Sequence, residues 1–295
     1  MSKSIANAAA DSIKSSSPML TVCGVQMDVA IRQPEVNLRR IREYAETAVR
    51  QGARLVVYPE CALTGYCFDT LSEARAGSLT AESPEINSLI QISGDLGIAL
   101  MVGTAWSESD GTLRNAVLTF DRGQWIDTYF KIHLPFLGLD RYVLPGDGVH
   151  QPIEIDGVRV GIHICYEGGF PEVARCLTLA GADLIVLPTN WPPGSGVSCQ
   201  VIPSCRALEN RVYFMAVNRV GTEGKFTFIG NSSWAQPSGV EMERLSATDE
   251  GLLVARVESA LARQKHLVIE PGVYEVNRIA DRHPELYRAL VQFHE

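Results

Sequence analysis

The stretch "GARLVVYPE" at residues 52–60 is repeated, with changes, as "GADLIVLPT" at residues 181–189. Both stretches begin with Gly-Ala, keep a leucine and a valine in register, and carry a proline near their end. A continuous apolar run of this kind is typical of a strand that is buried on both faces of a parallel sheet. The repetition therefore predicts that the chain contains two copies of one structural unit.

The segments before the two stretches support this duplication. "MLTVCGVQM" (19–27) predicts a buried strand, and a helix pattern begins at Pro34. Four apolar residues share one face of that helix: Leu38, Ile41, Ala45 and Ala48. In the second half, "VRVGIHI" (158–164) predicts a strand and "PEVARCLTLA" (171–180) predicts a helix. Each copy is thus a β-α-β unit.

Three more strands are predicted between the two copies. They lie around 99–103, at 113–120 and at 125–130, and a turn at 121–123 joins the last two. The predicted fold class is α/β, with two related sheets that are each covered by helices. Ligands in such folds bind at the carboxyl ends of the strands, so polar residues at these ends are the first candidates for a site.

Charge and hydropathy exclude several classes of function. The 295 residues carry a formal net charge of −8, whereas a nucleic-acid footprint needs clustered Lys and Arg. No apolar run approaches the roughly 20 residues of a membrane span. We therefore expect a cytoplasmic protein with no nucleic-acid partner and no membrane partner.

The seven cysteines are an odd number and include no Cys-x-x-Cys motif, which indicates a reducing compartment. His163 and Cys165 lie two residues apart, but no nearby residue completes a tetrahedral set, so we expect no metal site. Cys23 and Cys176 fall within a strand pattern and a helix pattern and are predicted to be in the core. Residues 1–18 lack the apolar centre of a secretory signal and are predicted to be a flexible tail.

Cys165 is a candidate nucleophile because of the stretch around it, "GIHICYEGGFPEVAR" (161–175). A strand, a sharp turn with Gly168 and Gly169, and a helix form the arrangement that lifts a nucleophile out of a sheet. A helix N-terminus nearby is also expected to favour the thiolate. The alternative is a small buried core thiol, which is the commoner situation for a cysteine.

Glu60 and Lys131 are the two further candidates. Glu60 follows a buried strand and a proline, where apolar neighbours would raise its pKa and make it a base near neutrality. Lys131 lies between aromatic and apolar residues, where it can stabilise a developing oxyanion. A surface carboxylate and a lysine that reaches solvent from a strand end are the respective alternatives.

Together these residues resemble the nitrilase superfamily of carbon–nitrogen hydrolases. The matching stretches follow the family's order within residues 19–280 and are "YPECALTGY", "FKIHLPF…DRYVLPGD", "GIHICYEGGFPEVAR", "GADLIVLPTNW" and "SCRALENRVYFMAVNRVG". The resemblance implies a four-layer α-β-β-α sandwich of two pseudo-symmetric halves, with no metal and no other cofactor. It also implies catalytic roles for Glu60 as base, Lys131 as cationic stabiliser and Cys165 as nucleophile.

The resemblance further implies a homodimer or a larger homo-oligomer. Residues 19–268 would form the hydrolase domain, and residues 269–295 would form a C-terminal arm at the oligomer interface.

Two positions depart from the family pattern. Asp140 stands where the family usually has a glutamate, and its side chain is one methylene shorter. Gly169 stands four residues after the cysteine, where many members that cleave acid-bearing amides have an arginine. Five residues are expected to bind substrate or support the site: Tyr66, Asp140, Tyr166, Glu167 and Trp191.

The expected function is hydrolysis of a small amide or carbamoyl carbon–nitrogen bond through a cysteine thioester, with release of acid and ammonia or amine. Tyr166-Glu167 after the cysteine and the Lys-x-His-Leu stretch that begins at Lys131 favour amides over nitriles. A nitrilase and a non-catalytic scaffold member of the same fold remain alternatives. A glutaminase module is disfavoured because no phosphate-binding loop is present.

Overall fold

The computed structural model describes residues 17–292. In this part of the chain the strands are β1 Met19–Gln26, β2 Leu55–Val57, β3 Ala99–Ser107, β4 Leu113–Asp121, β5 Gln124–Phe130, β6 Ile153–Ile155, β7 Val158–Ile162, β8 Leu184–Pro188, β9 Tyr213–Val217, β10 Thr222–Glu223, β11 Phe226–Thr227, β12 Ser233–Ala235, β13 Glu241–Arg244, β14 Gly251–Glu258, β15 Leu267–Glu270 and β16 Tyr274–Val276. The α-helices are α1 Pro34–Arg50, α2 Leu71–Gly77, α3 Pro84–Leu96, α4 Pro171–Leu179, α5 Gly196–Asn210 and α6 Ser259–Arg263.

Two six-stranded sheets contain most of the strands, in the orders β14-β1-β2-β3-β4-β5 and β13-β12-β9-β8-β7-β6. Three neighbouring strands are parallel in each sheet, β1-β2-β3 in the first and β7-β8-β9 in the second. The remaining neighbours pair antiparallel. The two sheets thus share one plan. The two repeated stretches form β2 and β8, the central strands of the parallel triplets, as the duplication predicted.

The two sheets pack face to face, and helices cover their outer faces. A Cβ atom at Gly24 of β1 would lie 2.9 Å from Val217 Cγ2 of β9, so this face of the first sheet touches the second. On the opposite face of β1, Cys23 belongs to a core shared with the apolar faces of α1 and α3. In the second sheet, Gly161 packs against Leu177 of α4. The predicted four-layer α-β-β-α sandwich is confirmed.

The first strand of the predicted hydrolase domain pairs with a strand near the end of that domain, at the edge of the first sheet. Strand β14 pairs antiparallel with the whole of β1, from Met19 opposite Glu258 to Gln26 opposite Gly251. The Pro18 carbonyl accepts a hydrogen bond from the Ser259 N–H at 3.1 Å, so this end of the predicted tail is held. Residues 1–16 of that tail lie outside the described residues. No helix among residues 17–292 has the length and apolar character needed to cross a membrane.

The prediction for Cys23 is confirmed, whereas that for Cys176 is wrong. Cys23 is fully buried in β1, but Cys176 is exposed on α4. The buried face of α4 contains Val173, Ala174 and Leu177. Because successive helical residues are rotated by about 100°, Cys176 falls outside that face although the next residue, Leu177, belongs to it.

Candidate active site

Three strand ends bring the candidate catalytic residues together. Glu60 lies three residues past β2, Lys131 directly follows β5, and Cys165 lies three residues past β7. Glu60 and Lys131 are fully buried and Cys165 is 8% exposed. The surface alternatives for Glu60 and Lys131 are therefore wrong.

A buried charge cluster surrounds Lys131. Its ammonium Nζ donates hydrogen bonds to Glu60 Oε1 at 2.7 Å and to Asp140 Oδ2 at 2.6 Å. Asn115 Nδ2 donates to the same two carboxylates, at 2.7 Å to Glu60 Oε1 and 2.9 Å to Asp140 Oδ1. Tyr66 Oη lies 2.9 Å from Asp140 Oδ2, to which it donates. Asp140 reaches the lysine despite its shorter side chain, so the departure from the family pattern leaves this contact in place.

The environment shifts the pKa values of the cluster in a definite direction. Burial raises the pKa of Glu60 above its ordinary value and Asp140 adds to this, whereas Lys131 and Asn115 oppose it. Burial lowers the pKa of Lys131, but the carboxylates of Asp140 and Glu60 outweigh it and raise that pKa well above its usual value. Lys131 is thus a permanent cation, and Glu60 is a carboxylate with increased affinity for a proton. Glu60 Oε2 has no hydrogen-bond partner among the described residues and is free to accept one.

Cys165 occupies a strained turn. Its φ angle is +50°, a left-handed conformation that non-glycine side chains rarely adopt and that is found preferentially at functional positions. Cys165 begins a short 3₁₀ turn that ends at Gly169, and α4 begins at Pro171. The sharp turn between strand and helix is confirmed.

The expected preference for the thiolate is not seen in the resting site. Burial raises the pKa of the Cys165 thiol to about 12, and the negative charge of Glu60 contributes. Lys131, the Thr189 hydroxyl and the Asn190 N–H act in the opposite direction but do not outweigh them. The helix dipole that was expected to favour the thiolate begins several residues away, at Pro171. This thiol is therefore protonated near neutral pH, and its ionisation there requires a base.

Glu167 holds the turn at Cys165 through hydrogen bonds to the backbone. Its Oε2 accepts a hydrogen bond from the Ile164 N–H at 2.6 Å, and its Oε1 accepts one from the Ile132 N–H at 2.7 Å. The Tyr129 hydroxyl donates to it at 2.9 Å. One carboxylate therefore fastens the residue before Cys165 to the residue after Lys131. Burial raises the pKa of Glu167, but hydrogen bonds from His133 and these two backbone N–H groups outweigh it, so the carboxylate is ionised.

A cavity of about 240 Å³ opens onto Cys165. Its apolar and aromatic walls are formed by Tyr66, Pro135, Leu137, Tyr166, Trp191, Pro192 and Ile202. Asn190, Ser195 and Ser198 supply its other polar side chains, and no charged side chain of the described residues lines it. Of the five residues predicted to bind substrate or support the site, Tyr66, Tyr166 and Trp191 line this cavity, whereas Asp140 and Glu167 do not.

Sequence reasoning assigned no role to three residues of this site. Asn115, which bridges the two carboxylates, is a polar residue inside the apolar strand pattern at 113–120, and that exception was the available signal. Arg206 of α5 donates from Nε to the Gly168 carbonyl at 3.1 Å and so holds the turn after Cys165. Asn190 adjoins the predicted Trp191 on the cavity wall.

The fold and the buried cluster define a class of carbon–nitrogen hydrolases. The structure resembles that of a mutant amidase from Nesterenkonia sp. AN1 in complex with acrylamide, with a TM-score of 0.79, 25% identity, and coverage of 92% of this chain and 97% of that chain. Residues 21–266 match the carbon-nitrogen hydrolase family, and the chain belongs to this family, within the nitrilase superfamily.

Relatives with different names share this similarity. A protein named nitrilase from Pyrococcus abyssi (strain GE5 / Orsay) is 35% identical over 250 residues, which are 84% of this chain and 94% of that protein. A deaminated glutathione amidase from Mus musculus is 27% identical over 296 residues, which are 92% of this chain and 85% of that protein.

Proposed function

We propose that this carbon–nitrogen hydrolase cleaves small neutral amides through a thioester on Cys165. The observation that carries the proposal is the position of Lys131 Nζ, 2.7 Å from Glu60 Oε1 and 2.6 Å from Asp140 Oδ2, behind a cavity that contains the Cys165 thiol. A base and a fixed cation whose charges act on a nucleophile that lines a cavity suit acyl transfer, and a scaffold would not need them.

The first half of the reaction forms the thioester. Glu60 removes the Cys165 proton while the sulfur attacks the amide carbon, and the carbonyl electron pair moves onto oxygen. The Lys131 ammonium stabilises this oxyanion. Its charge acts strongly because its surroundings are buried and exclude water. When the oxyanion re-forms its double bond, the carbon–nitrogen bond breaks, and Glu60 returns the proton to the departing nitrogen. Ammonia or an amine leaves.

The second half releases the acid. Glu60 removes a proton from water, and the hydroxyl oxygen attacks the thioester carbon. The second oxyanion collapses, the carbon–sulfur bond breaks, and the thiolate takes the proton held by Glu60. Asp140 and Asn115 keep Lys131 and Glu60 in place throughout, because each contacts at least one of them directly.

The lining of the cavity favours an uncharged amide. Its walls are largely apolar, and Gly169 borders it at the position where many members that cleave acid-bearing amides have an arginine. The Nesterenkonia amidase has been solved with acrylamide, a small neutral amide, which is consistent with this class of substrate. Nitriles are the competing class of substrate for this chain, because one relative is named nitrilase and because thiolate attack also begins nitrile hydrolysis.

Matched substrates test the proposal. We expect the purified protein to release ammonia faster from propionamide than from propionitrile, and faster acid formation from the nitrile would contradict the amide assignment. Cys165→Ala should lower kcat by about 10⁴-fold or more because no other group can form the thioester. Mass spectrometry of the intact protein should show an acyl adduct that Cys165→Ala lacks.

The assembly and location of the protein belong to the same proposal. We expect a cytoplasmic homo-oligomer that acts on a small molecule without a cofactor. All seven cysteines are free, which suits a reducing compartment.

A further inference from the structure

Glu223 reaches the candidate active site from a distant part of the chain. It ends β10, in the hairpin where it pairs with Phe226 of β11. Its side chain is 1% exposed, and its Oε1 accepts a hydrogen bond from the Tyr66 N–H at 3.0 Å. A buried carboxylate is costly unless it is paired, so each of its partners matters. No step of the proposed reaction involves this contact.

The second oxygen of Glu223 forms an ion pair with Arg219. Arg219 is fully buried, and its Nη1 donates to Glu223 Oε2 at 2.5 Å. Its Nη2 donates to Asp28 Oδ1 at 3.0 Å and to the Val29 carbonyl at 2.8 Å. Arg219 thus ties Glu223 to the segment that follows β1. Because both carboxylate oxygens have a partner, the direction of the Glu223 side chain is fixed.

Gly65 makes room for the contact between Glu223 and Tyr66. Its φ angle is +82°, a conformation that favours glycine. A Cβ at this position would lie 2.4 Å from Glu223 Oε1 and 2.6 Å from the Ile31 Cα. Any side chain at residue 65 would therefore push the carboxylate away from the Tyr66 N–H.

Tyr66 carries this contact to the charge cluster around Lys131. Its main chain is held on both sides, because its carbonyl accepts from the Leu139 N–H at 2.8 Å and its N–H donates to Glu223. Its hydroxyl donates to Asp140 Oδ2 at 2.9 Å. The same carboxylate oxygen accepts from Lys131 Nζ at 2.6 Å. A shift of the Tyr66 main chain would therefore move a partner of the group that holds Lys131.

We infer that Glu223 is a positioning residue for the proposed reaction. It fixes the Tyr66 main chain and so places the Tyr66 hydroxyl on Asp140, the carboxylate that holds the Lys131 ammonium. Glu223 does not line the cavity of Cys165, so it acts on the reaction through Tyr66. The inference rests on the proposed function, in which Lys131 stabilises the oxyanion. Small displacements of such a group are expected to lower the rate, since preorganised geometry supplies much of catalysis.

Glu223→Gln breaks the contact at nearly constant volume. A carboxamide has an acceptor end and a donor end, so in either orientation its NH₂ group faces the Tyr66 N–H or Arg219. Asp28→Asn is the matched control, because it changes another partner of Arg219 and leaves the Tyr66 contact in place. If Glu223→Gln unfolds, Glu223→Asp replaces it with the same expected results, since it keeps the charge beside Arg219 but is one methylene shorter.

A fluorine label reports on Tyr66 directly. The protein is prepared with 3-fluorotyrosine, and Tyr66→Phe assigns the Tyr66 signal in the ¹⁹F NMR spectrum by its disappearance. We expect Glu223→Gln to shift or broaden this signal, whereas Asp28→Asn should leave it unchanged. An unchanged Tyr66 signal in Glu223→Gln would overturn the inference, because the contact would then not position Tyr66.

Turnover of propionamide tests the consequence for the reaction. We expect kcat to fall about tenfold in Glu223→Gln and to stay within about twofold in Asp28→Asn. In the Tyr66→Phe background, where the hydroxyl is absent, Glu223→Gln should lower kcat no further. Unchanged turnover in Glu223→Gln, or a further loss of about tenfold in that background, would also overturn the inference. If the Tyr66 signal shifts in Glu223→Gln but the wild-type protein hydrolyses no amide, the positioning of Tyr66 stands and the proposed function fails.

Discussion

At the scale of single residues, the site combines a thiol that resists ionisation with a carboxylate of increased proton affinity. Burial raises the pKa of Cys165 to about 12 and also raises that of Glu60. A free thiolate is therefore scarce near pH 7, and in the proposed mechanism Glu60 takes the proton during attack. The reactivity of Cys165 should consequently follow the ionisation of Glu60.

Glu60→Gln should slow alkylation of Cys165 by iodoacetamide about a hundredfold at pH 7, since a general base contributes about 10²–10⁴-fold. In the wild type, the rate should fall on acidification as Glu60 becomes protonated, at a pH above its ordinary pKa of about 4.3. In Glu60→Gln, the rate should instead keep rising in alkaline solution as the thiol itself ionises. Equal rates of the two proteins at pH 7 would remove Glu60 as the base.

The labelling experiment requires a suitable background. Cys176 and Cys205 are exposed and will react whatever the state of the active site, so both are replaced by serine in each protein. Peptide mapping then assigns the label to Cys165, and circular dichroism shows whether Glu60→Gln keeps its fold.

Glu167→Gln should lower the free energy of unfolding by about 2–3 kcal/mol, measured by urea denaturation. The carboxylate accepts hydrogen bonds from the Ile164 N–H, the Ile132 N–H and the Tyr129 hydroxyl, and an amide would turn donors toward some of them. Tyr129→Phe, which removes one of these bonds, is the control and should cost about 1 kcal/mol. A loss no larger than that of the control would show that the hydrogen bonds to the Glu167 carboxylate contribute little to stability.

At the scale of elements, local patterns predicted what local contacts determine. The repeated stretches identified β2 and β8 because a strand buried on both faces is apolar throughout. Strand β14 was not predicted, since it pairs with β1 from more than 200 residues away. The sequence signal for this strand was the apolar residue at every second position, since Leu253, Ala255 and Val257 share the buried face.

The residues of the candidate site likewise fall into those that local sequence identifies and those that only the structure identifies. Glu60, Lys131 and Cys165 were identified by local context and by resemblance, and each follows a strand. Asn115 and Asn190 have their roles only through residues that are distant in sequence, namely Asp140, Glu60 and the cavity of Cys165. Such roles require the three-dimensional arrangement.

Gly24→Val tests the contact between the two sheets. A Cβ at this position would lie 2.9 Å from Val217 Cγ2 and 3.2 Å from Met215 Sδ, so the facing side chains must shift. We expect a loss of about 1–3 kcal/mol in the free energy of unfolding. Gly148→Ala is the control, because its Cβ would meet no atom within 4 Å, and it should change stability by less than about 0.5 kcal/mol. Similar effects of both substitutions would argue against tight packing of the sheets.

At the scale of the whole molecule, the predicted C-terminal arm from residue 269 carries an exposed apolar surface. Val273, Leu286 and Val291 are 75%, 73% and 83% exposed. A cavity of about 630 Å³ is lined by Leu179 of α4 and by Leu290 and Val291 of the arm. We propose that these exposed apolar side chains contact another protein surface, and a second copy of this chain is the occupant implied by the family resemblance.

Replacing Val273, Leu286 and Val291 together by serine should therefore dissociate a homo-oligomer. We expect light scattering at micromolar concentration to give at least twice the protomer mass for the wild type and a smaller assembly for the triple variant. Met242→Ser is the control, because Met242 is 49% exposed on β13, outside the arm, and should leave the mass unchanged. Thermal unfolding separates dissociation from misfolding, since the three side chains are largely exposed in the single chain and contribute little to its core. A wild-type protein that stays monomeric, or a triple variant of unchanged mass, would exclude the arm as the interface.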